Sequence, residues 1–159
     1  MKEHSSWYSN FEDSHLLSRQ KQQASSRTPL IKALGIHSIK LEEKKDIFIF
    51  DATAGLGEDS FLIASCENVK VLLVERDPLI FSLLKDGLER AKNSKISSVV
   101  HTIKKIELYP KPSDSITVLE NYNNIHPDFR PDIVYLDPMH VSADTHKSAL
   151  PKIKMQLAR

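Results

Sequence analysis

Four short apolar runs, separated by stretches of helical character, constrain this chain more than any other feature. They are residues 47–51 (Ile47-Phe-Ile-Phe-Asp51), residues 69–75 (Val69-Lys-Val-Leu-Leu-Val-Glu75), Ile106 to Tyr109, and residues 131–137 (Pro131-Asp-Ile-Val-Tyr-Leu-Asp137). Runs of this length, apolar almost throughout, suit strands of a parallel sheet covered on both faces. Between them lie helical signals. One helix is expected after Gly57, through Phe61, Leu62, Ile63 and Ala64. Asp77-Pro78 opens another in cap-then-proline order, and Ile80, Leu83, Leu84, Leu88 and Ala91 follow at helical spacing. Residues 96–104 and Ser115 to Tyr122 supply two shorter candidates, and Thr28-Pro29 to Gly35 a third with cap, first-turn proline and glycine stop. Alternation of this kind predicts an α/β, Rossmann-like open sheet. Residues 1–27, polar and weakly periodic, read as a flexible or loosely docked segment ahead of a domain over 28–159.

The remaining bounds are brief. A chain of 159 residues is enough for one buried core. A net charge of +1 gives no global attraction to nucleic acid, so any such contact must come from local patches. Lys147, Lys152, Lys154 and Arg159 make one basic stretch, and Arg19, Lys21 and Arg27 another; each reads equally as a phosphate contact or as a solvated face. The single cysteine, Cys66, cannot form an internal disulfide, which fits a reducing, cytoplasmic setting. No apolar stretch is long enough to span a bilayer. The seven histidines are scattered, without zinc-site spacing, so no metal is expected.

In open parallel sheets, ligands bind outside the carboxyl ends of the strands. Asp51, Gly55, Gly57, Glu75, Ser115 and Asp137 all fall there. Asp51-Ala-Thr-Ala-Gly-Leu-Gly-Glu-Asp59 follows the first strand, and its glycines let a ligand approach the backbone. The third glycine of a dinucleotide fingerprint is missing, since Ser60 stands there. Asp51, Glu58 and Asp59 around the turn disfavour a pyrophosphate and suit a cationic, amine-bearing ligand such as S-adenosyl-L-methionine. Glu75, ending the second strand, is placed to accept hydrogen bonds from the hydroxyls of a ribose, a feature shared with NAD-binding folds. Read blandly, the loop is a structural strand–helix turn and Glu75 a solvated loop acid.

Asp137-Pro-Met-His140 separates the two cofactor readings. Asp-Pro at a strand end, followed by an aromatic two positions after the proline, is the pattern of amino-methylating active sites. An exocyclic amine on a base is a poor nucleophile because its lone pair is delocalised into the ring. Hydrogen bonds to the Asp137 carboxylate and the Pro138 carbonyl favour its pyramidal form and hold it in line for attack, while His140 would stack on the flipped base. The alternative is a plain strand-ending turn, since Asp-Pro commonly opens one.

With these residues in view, the chain resembles the bacterial 16S rRNA (guanine-N2)-methyltransferases of the small-subunit methyltransferase J type. The likeness rests on Asp51-Ala-Thr-Ala-Gly-Leu-Gly57, Val74-Glu-Arg76, Leu83-Leu84 with Asp86-Gly87-Leu88, Val134-Tyr-Leu-Asp-Pro-Met139 and Lys147-Ser-Ala-Leu150, and runs from about Arg27 to Met155. It implies a class I methyltransferase fold, S-adenosyl-L-methionine as donor, and methylation of a guanine N2 amine in 16S rRNA or the small ribosomal subunit. Residue by residue, it matches Glu58 and Asp59 to a cofactor-binding pair, Glu75 and Arg76 to the pair at the ribose, and Asp114 and Ser115 to a pair near the adenine. Asp137 matches an acid shared by cofactor and substrate.

Three departures stand out. His140 occupies a position where the family usually has Phe, the stretch from His140 to Lys147 is longer than the pattern, and the chain stops at Arg159. The expectation is therefore a class I sheet truncated after strand four, with little or no turnover by this chain alone. Two other functions stay open: a non-catalytic methyltransferase-like domain that binds cofactor or RNA weakly, and an NAD-dependent oxidoreductase, disfavoured by Asp137-Pro138 and by the acids around the loop.

Overall fold

A computed structural model of the chain describes residues 8–23, 28–36, 46–122, 130–138 and 153–156. Five strands form one sheet: β1 (Ile47–Asp51), β2 (Val69–Leu73), β3 (Ile106–Leu108), β4 (Ile133–Leu136) and β5 (Ile153–Gln156). Their spatial order is β3-β2-β1-β4-β5. β1 to β4 run parallel, with Asp51 opposite Leu73 on one side and Tyr135 on the other. β5 pairs antiparallel with β4, Lys154 lying opposite Tyr135. The sequence reading assigned no strand beyond the fourth, so β5 is an addition to the expected sheet. Four residues shortly after Pro151 leave too little periodicity to separate a strand from a coil.

Period-two alternation sorts the strand residues between two cores. Ile47, Ile49, Val69, Val71, Leu73, Ile133 and Tyr135 face one side. There they meet α1 (Ser14–Gln23), α2 (Pro29–Leu34), α3 (Glu58–Ala64), α4 (Pro78–Lys92) and α5 (Ser97–Ile103). Phe50, Leu72, Val74 and Val134 face the other, with Tyr109, Tyr122 and Val118 of α6 (Ser115–Glu120). The chain thus leaves β1 towards β2 and β3 on one side and returns to β4 on the other. The crevice above the β1–β4 boundary is the point where strand order reverses, the usual ligand position in such sheets.

Local punctuation explains the helix starts and stops. Asp77 caps α4 by accepting from the N–H groups of Leu79 and Ile80 at 2.8 and 3.0 Å. Gly35 ends α2 in the left-handed region at φ 60°, as its position after the helix requires, whereas Thr28 makes no side-chain cap bond.

The N-terminal segment departs from expectation. Within 8–23 it is not loosely held: Phe11 and Leu16 are buried in the same core as the sheet. The side-chain amide of Gln20, also buried, donates to Thr102 Oγ1 at 2.9 Å. Residues 8–23 thus contribute to the core that the sheet also lines. The segment's polar composition hid this, since part of its docking runs through polar contacts such as the buried amide–hydroxyl pair.

Candidate active site

The loop after β1 is organised from behind by Asp51. Its Oδ1 accepts from the Thr53 N–H at 2.9 Å and its Oδ2 from the Ser60 hydroxyl. At 1% exposure, with an internal donor on each oxygen, Asp51 is turned into the protein rather than presented to a ligand. Burial pushes its carboxyl up to about 6; the bonds from Ser60 and Thr53 oppose this, and the charges of Asp59 and Glu75 add to it. Since the folded state holds this proton more tightly than the unfolded chain, the stability it contributes is present at low pH and lost as pH rises from about 4 to about 6. We expect this to remove roughly 2–3 kcal/mol. Urea titrations across that window should show the slope in the parent minus the Asp51→Asn variant; an identical pH profile for the two would contradict the assignment.

The two loop glycines differ in purpose. Gly55 has φ +54°, and a Cβ there would come no closer than 3.9 Å to any neighbour, so its outer side is open. Gly57 has φ +83°, and a Cβ there would lie 2.7 Å from Leu84 Cδ1 and 3.2 Å from Phe11 Cζ. Gly55 leaves room for a ligand, whereas Gly57 makes room for the core.

Glu75 bridges two loops. Its Oε2 accepts from the Gly55 N–H and its Oε1 from the Asp77 N–H, both at 2.8 Å. Each carboxylate oxygen has a second lone pair, so the side chain, half-buried, retains capacity for hydroxyl donors. The Ser113 N–H donates to the Glu75 carbonyl at 2.9 Å, which brings the loop after β3 to the same edge. There Asp114 caps α6, accepting from Ile116 and Thr117 N–H at 3.0 and 3.2 Å. Leu79 and Ile116, in the first turns of α4 and α6, are both exposed.

On the other side of the crevice, Asp59 Oδ2 accepts from the Tyr135 hydroxyl at 2.5 Å, and its Oδ1 lies 3.6 Å from Arg19 Nη2. Burial, then the bond to Asp59 and the surrounding carboxylates, hold the Tyr135 phenol far above its ordinary range, so it remains a donor. The Asp137 N–H donates to Thr53 Oγ1 at 2.8 Å, which ties the end of β4 to the loop after β1. Asp137 is half-buried, and Pro138 is exposed beside it.

The structure thus gathers Asp51, Gly55, Gly57, Asp59, Glu75 and Asp137 at one sheet edge. Glu58 and Arg76 are exposed near it, and Asp114 and Ser115 begin the helix after β3. His140, Lys147 and Lys152 lie outside the described residues, and Lys154 is placed by its backbone alone. Sequence reasoning missed Thr53, Ser60 and Tyr135. A phenol inside an apolar strand was a usable signal, because a buried Tyr hydroxyl needs a partner. Among the described residues, no group of three or more His, Cys, Asp or Glu is placed to hold a metal. No helix among them is long and apolar enough to cross a membrane.

Parallel strands, a glycine turn after the first and an acid behind the second define a Rossmann-like fold, which class I methyltransferases share with NAD-binding domains. The chain belongs to the family described as "Putative SAM-dependent methyltransferase", whose model matches residues 1–159. It is 39% identical over 132 residues to the ribosomal RNA small subunit methyltransferase J of Thioalkalivibrio sulfidiphilus, covering 82% of this chain and 46% of that relative. The protein of the same name from Buchnera aphidicola subsp. Acyrthosiphon pisum is 42% identical over 112 residues, 70% of this chain and 41% of the relative. A crystal structure of a SAM-dependent methyltransferase from Neisseria gonorrhoeae superposes with a TM-score of 0.59 at 28% identity, over 88% of this chain and 51% of that one. The chain therefore spans about half the length of the relatives it matches.

Proposed function

We propose that this chain carries the cofactor-binding half-site and the amine-orienting acid of an S-adenosyl-L-methionine-dependent methyltransferase, acting on a guanine N2 amine of 16S rRNA in the small ribosomal subunit, in the cytoplasm. The observation that carries the reading is the pairing of Glu75 with Gly55: an acid with spare acceptor capacity next to a glycine whose outer side is open. The rRNA substrate comes from the names of the relatives.

The residues present fit the cofactor. Glu75 accepts from the ribose hydroxyls, with Arg76 beside it. Leu79 and Ile116 offer apolar surface to the adenine, near Asp114 and Ser115. Asp59, Glu58 and Asp137 give the crevice the negative charge that suits an ammonium and a sulfonium. When bound, the cofactor supplies a methyl group on a cationic sulfur. The Asp137 carboxylate and the Pro138 carbonyl accept hydrogen bonds from the exocyclic amine, keeping its lone pair available and aimed. His140 stacks on the base, and Lys147, Lys152 and Lys154 meet RNA phosphates.

Calorimetric titration with S-adenosylhomocysteine tests cofactor recognition without requiring RNA. Removing a charge-assisted hydrogen bond costs roughly 1.5–3 kcal/mol, so Glu75→Ala should weaken binding about tenfold to a hundredfold. Unchanged affinity in a folded variant would take Glu75 out of the site. Tighter binding of NAD than of S-adenosylhomocysteine would overturn the methyltransferase reading.

A further inference from the structure

The glycine loop is held not only by the sheet but by a strap from far away in the sequence. Ser9 is almost fully buried, and its hydroxyl donates to the carbonyl of Leu56, the residue between the two loop glycines, at 2.7 Å. Two residues on, Phe11 closes over Gly57 and packs on the Phe61 ring of α3 with centroids 5.3 Å apart. The strap is itself clamped to α4. A Cβ on Gly87 would lie 2.5 Å from Ser9 Cβ and 2.9 Å from the Ser9 carbonyl oxygen, so only glycine lets the segment lie this close. Arg90, one helical turn further along, donates from Nη2 to that same carbonyl at 2.6 Å. Its guanidinium also sits 5.8 Å from the Tyr8 ring centroid. The far end is fastened separately, by the Ser94 hydroxyl donating to Glu12 Oε1 at 2.5 Å.

These contacts converge on the backbone of residues 56 and 57, between the open side of Gly55 and the start of α3. A carbonyl fixed at Leu56 and a ring pressed on Gly57 set the path on which the Gly55 N–H reaches Glu75. A cavity of about 430 Å³ beside the strap is lined in part by Phe11, Gly87, Arg90 and Ile96.

We propose that Ser9 and Phe11 are positioning residues for the cofactor loop, so that affinity for the cofactor depends on the docking of the N-terminal strap onto α4. The proposal rests on the cofactor reading given above. By linkage, a strap that favours the binding-competent loop is itself favoured by the bound ligand. Two variants weaken the device by independent routes. Ser9→Ala removes the bond to Leu56. Gly87→Ala leaves the loop untouched and favours the helix intrinsically, yet pushes the strap off. Lys92→Ala, on α4 and ion-paired with Glu89 of the same helix, serves as the control.

The experiment combines calorimetric titration with S-adenosylhomocysteine and amide hydrogen exchange on the full chain, with thermal unfolding to establish that each variant is folded. Ser9→Ala should weaken binding about threefold to tenfold, Gly87→Ala by at least as much, and Lys92→Ala by less than about twofold. In the ligand-free chain, exchange at residues 54–57 should quicken in the first two variants and not in the third. In the parent, the ligand should slow exchange over residues 9–16 more than over α5, a regional effect that global stabilisation alone does not produce. Parent-like affinity and loop exchange in both Ser9→Ala and Gly87→Ala would overturn the proposal. A parent that binds no S-adenosylhomocysteine, with loop exchange still quickened by Ser9→Ala, would instead overturn the cofactor reading and leave the strap's hold on the loop standing.

Discussion

Asp137→Asn is expected to lower methyl transfer about a hundredfold or more, the range for losing a positioned acid–base group, while S-adenosylhomocysteine affinity stays within about threefold. The substitution keeps the size of the side chain and one acceptor and removes the charge. The backbone at this position is fixed from outside, because the Asp137 N–H is anchored on Thr53 Oγ1. The variant side chain therefore starts from the same place. What changes is its attraction for an amine that becomes positive as the new bond forms. That attraction is stronger in the transition state than in the ground state, so its loss falls on the rate rather than on binding. The measurement is transfer of labelled methyl to 16S rRNA, or to small subunits lacking the modification, by parent and variant side by side, each completed to the length of its relatives, of which this chain spans about half. Equal rates would remove the role given to Asp137. A matched loss of rate and of cofactor affinity would make it a binding residue only.

The elements legible in the sequence were those whose information is local. β1 was expected over 47–51 and lies there, because an apolar run met a glycine-bearing turn. α4 starts at Pro78 as its Asp-Pro signal required. β2 and β4 are shorter than the apolar runs that announced them, ending at Leu73 and Leu136. Residues beyond those points extend the run but leave the ladder to make loop contacts, as Val74 and Glu75 do with Asp51, Ala54 and Gly55. α1 was missed because its docking rests on Phe11, Leu16 and a buried amide–hydroxyl pair, none of which produces an apolar stripe.

The candidate site shows the same division. That acids would stand at strand ends was readable, since each closes an apolar run. Their orientation was not. Asp51 turns inward to Thr53 and Ser60, Glu75 reaches across to Gly55, and Asp59 is taken by Tyr135 from a strand far away in sequence. Those choices depend on which donor the folded chain brings near, and for Glu75 and Asp59 no short window of residues contains both partners. Thr53 is the clearest case. Its N–H serves Asp51 and its hydroxyl serves Asp137, so one small side chain couples the loop after β1 to the residue proposed to orient the amine.

Gly57→Ala should be the most destabilising single change in the loop, at about 2–4 kcal/mol, while Gly55→Ala should cost only about 1 kcal/mol. A left-handed backbone costs an L-residue roughly 1–2 kcal/mol wherever it occurs, so both variants bear that. The difference is the space behind them. At Gly55 the added methyl meets nothing closer than 3.9 Å, whereas at Gly57 it falls 2.7 Å from Leu84 Cδ1 and 3.2 Å from Phe11. Leu84 and Phe11 are both buried, so neither can swing into solvent to yield, and overpacking of a filled core adds roughly 1–3 kcal/mol. Urea unfolding should show both midpoints falling at unchanged slope, the Gly57 variant by the larger amount. Ligand titration should reverse the ranking relative to stability: Gly55→Ala, nearly as stable as the parent, places its methyl on the open side and should weaken S-adenosylhomocysteine binding out of proportion to its stability loss. Equal destabilisation by the two variants would mean that the core tolerates the extra methyl at Gly57, and that backbone conformation alone accounts for glycine at both positions.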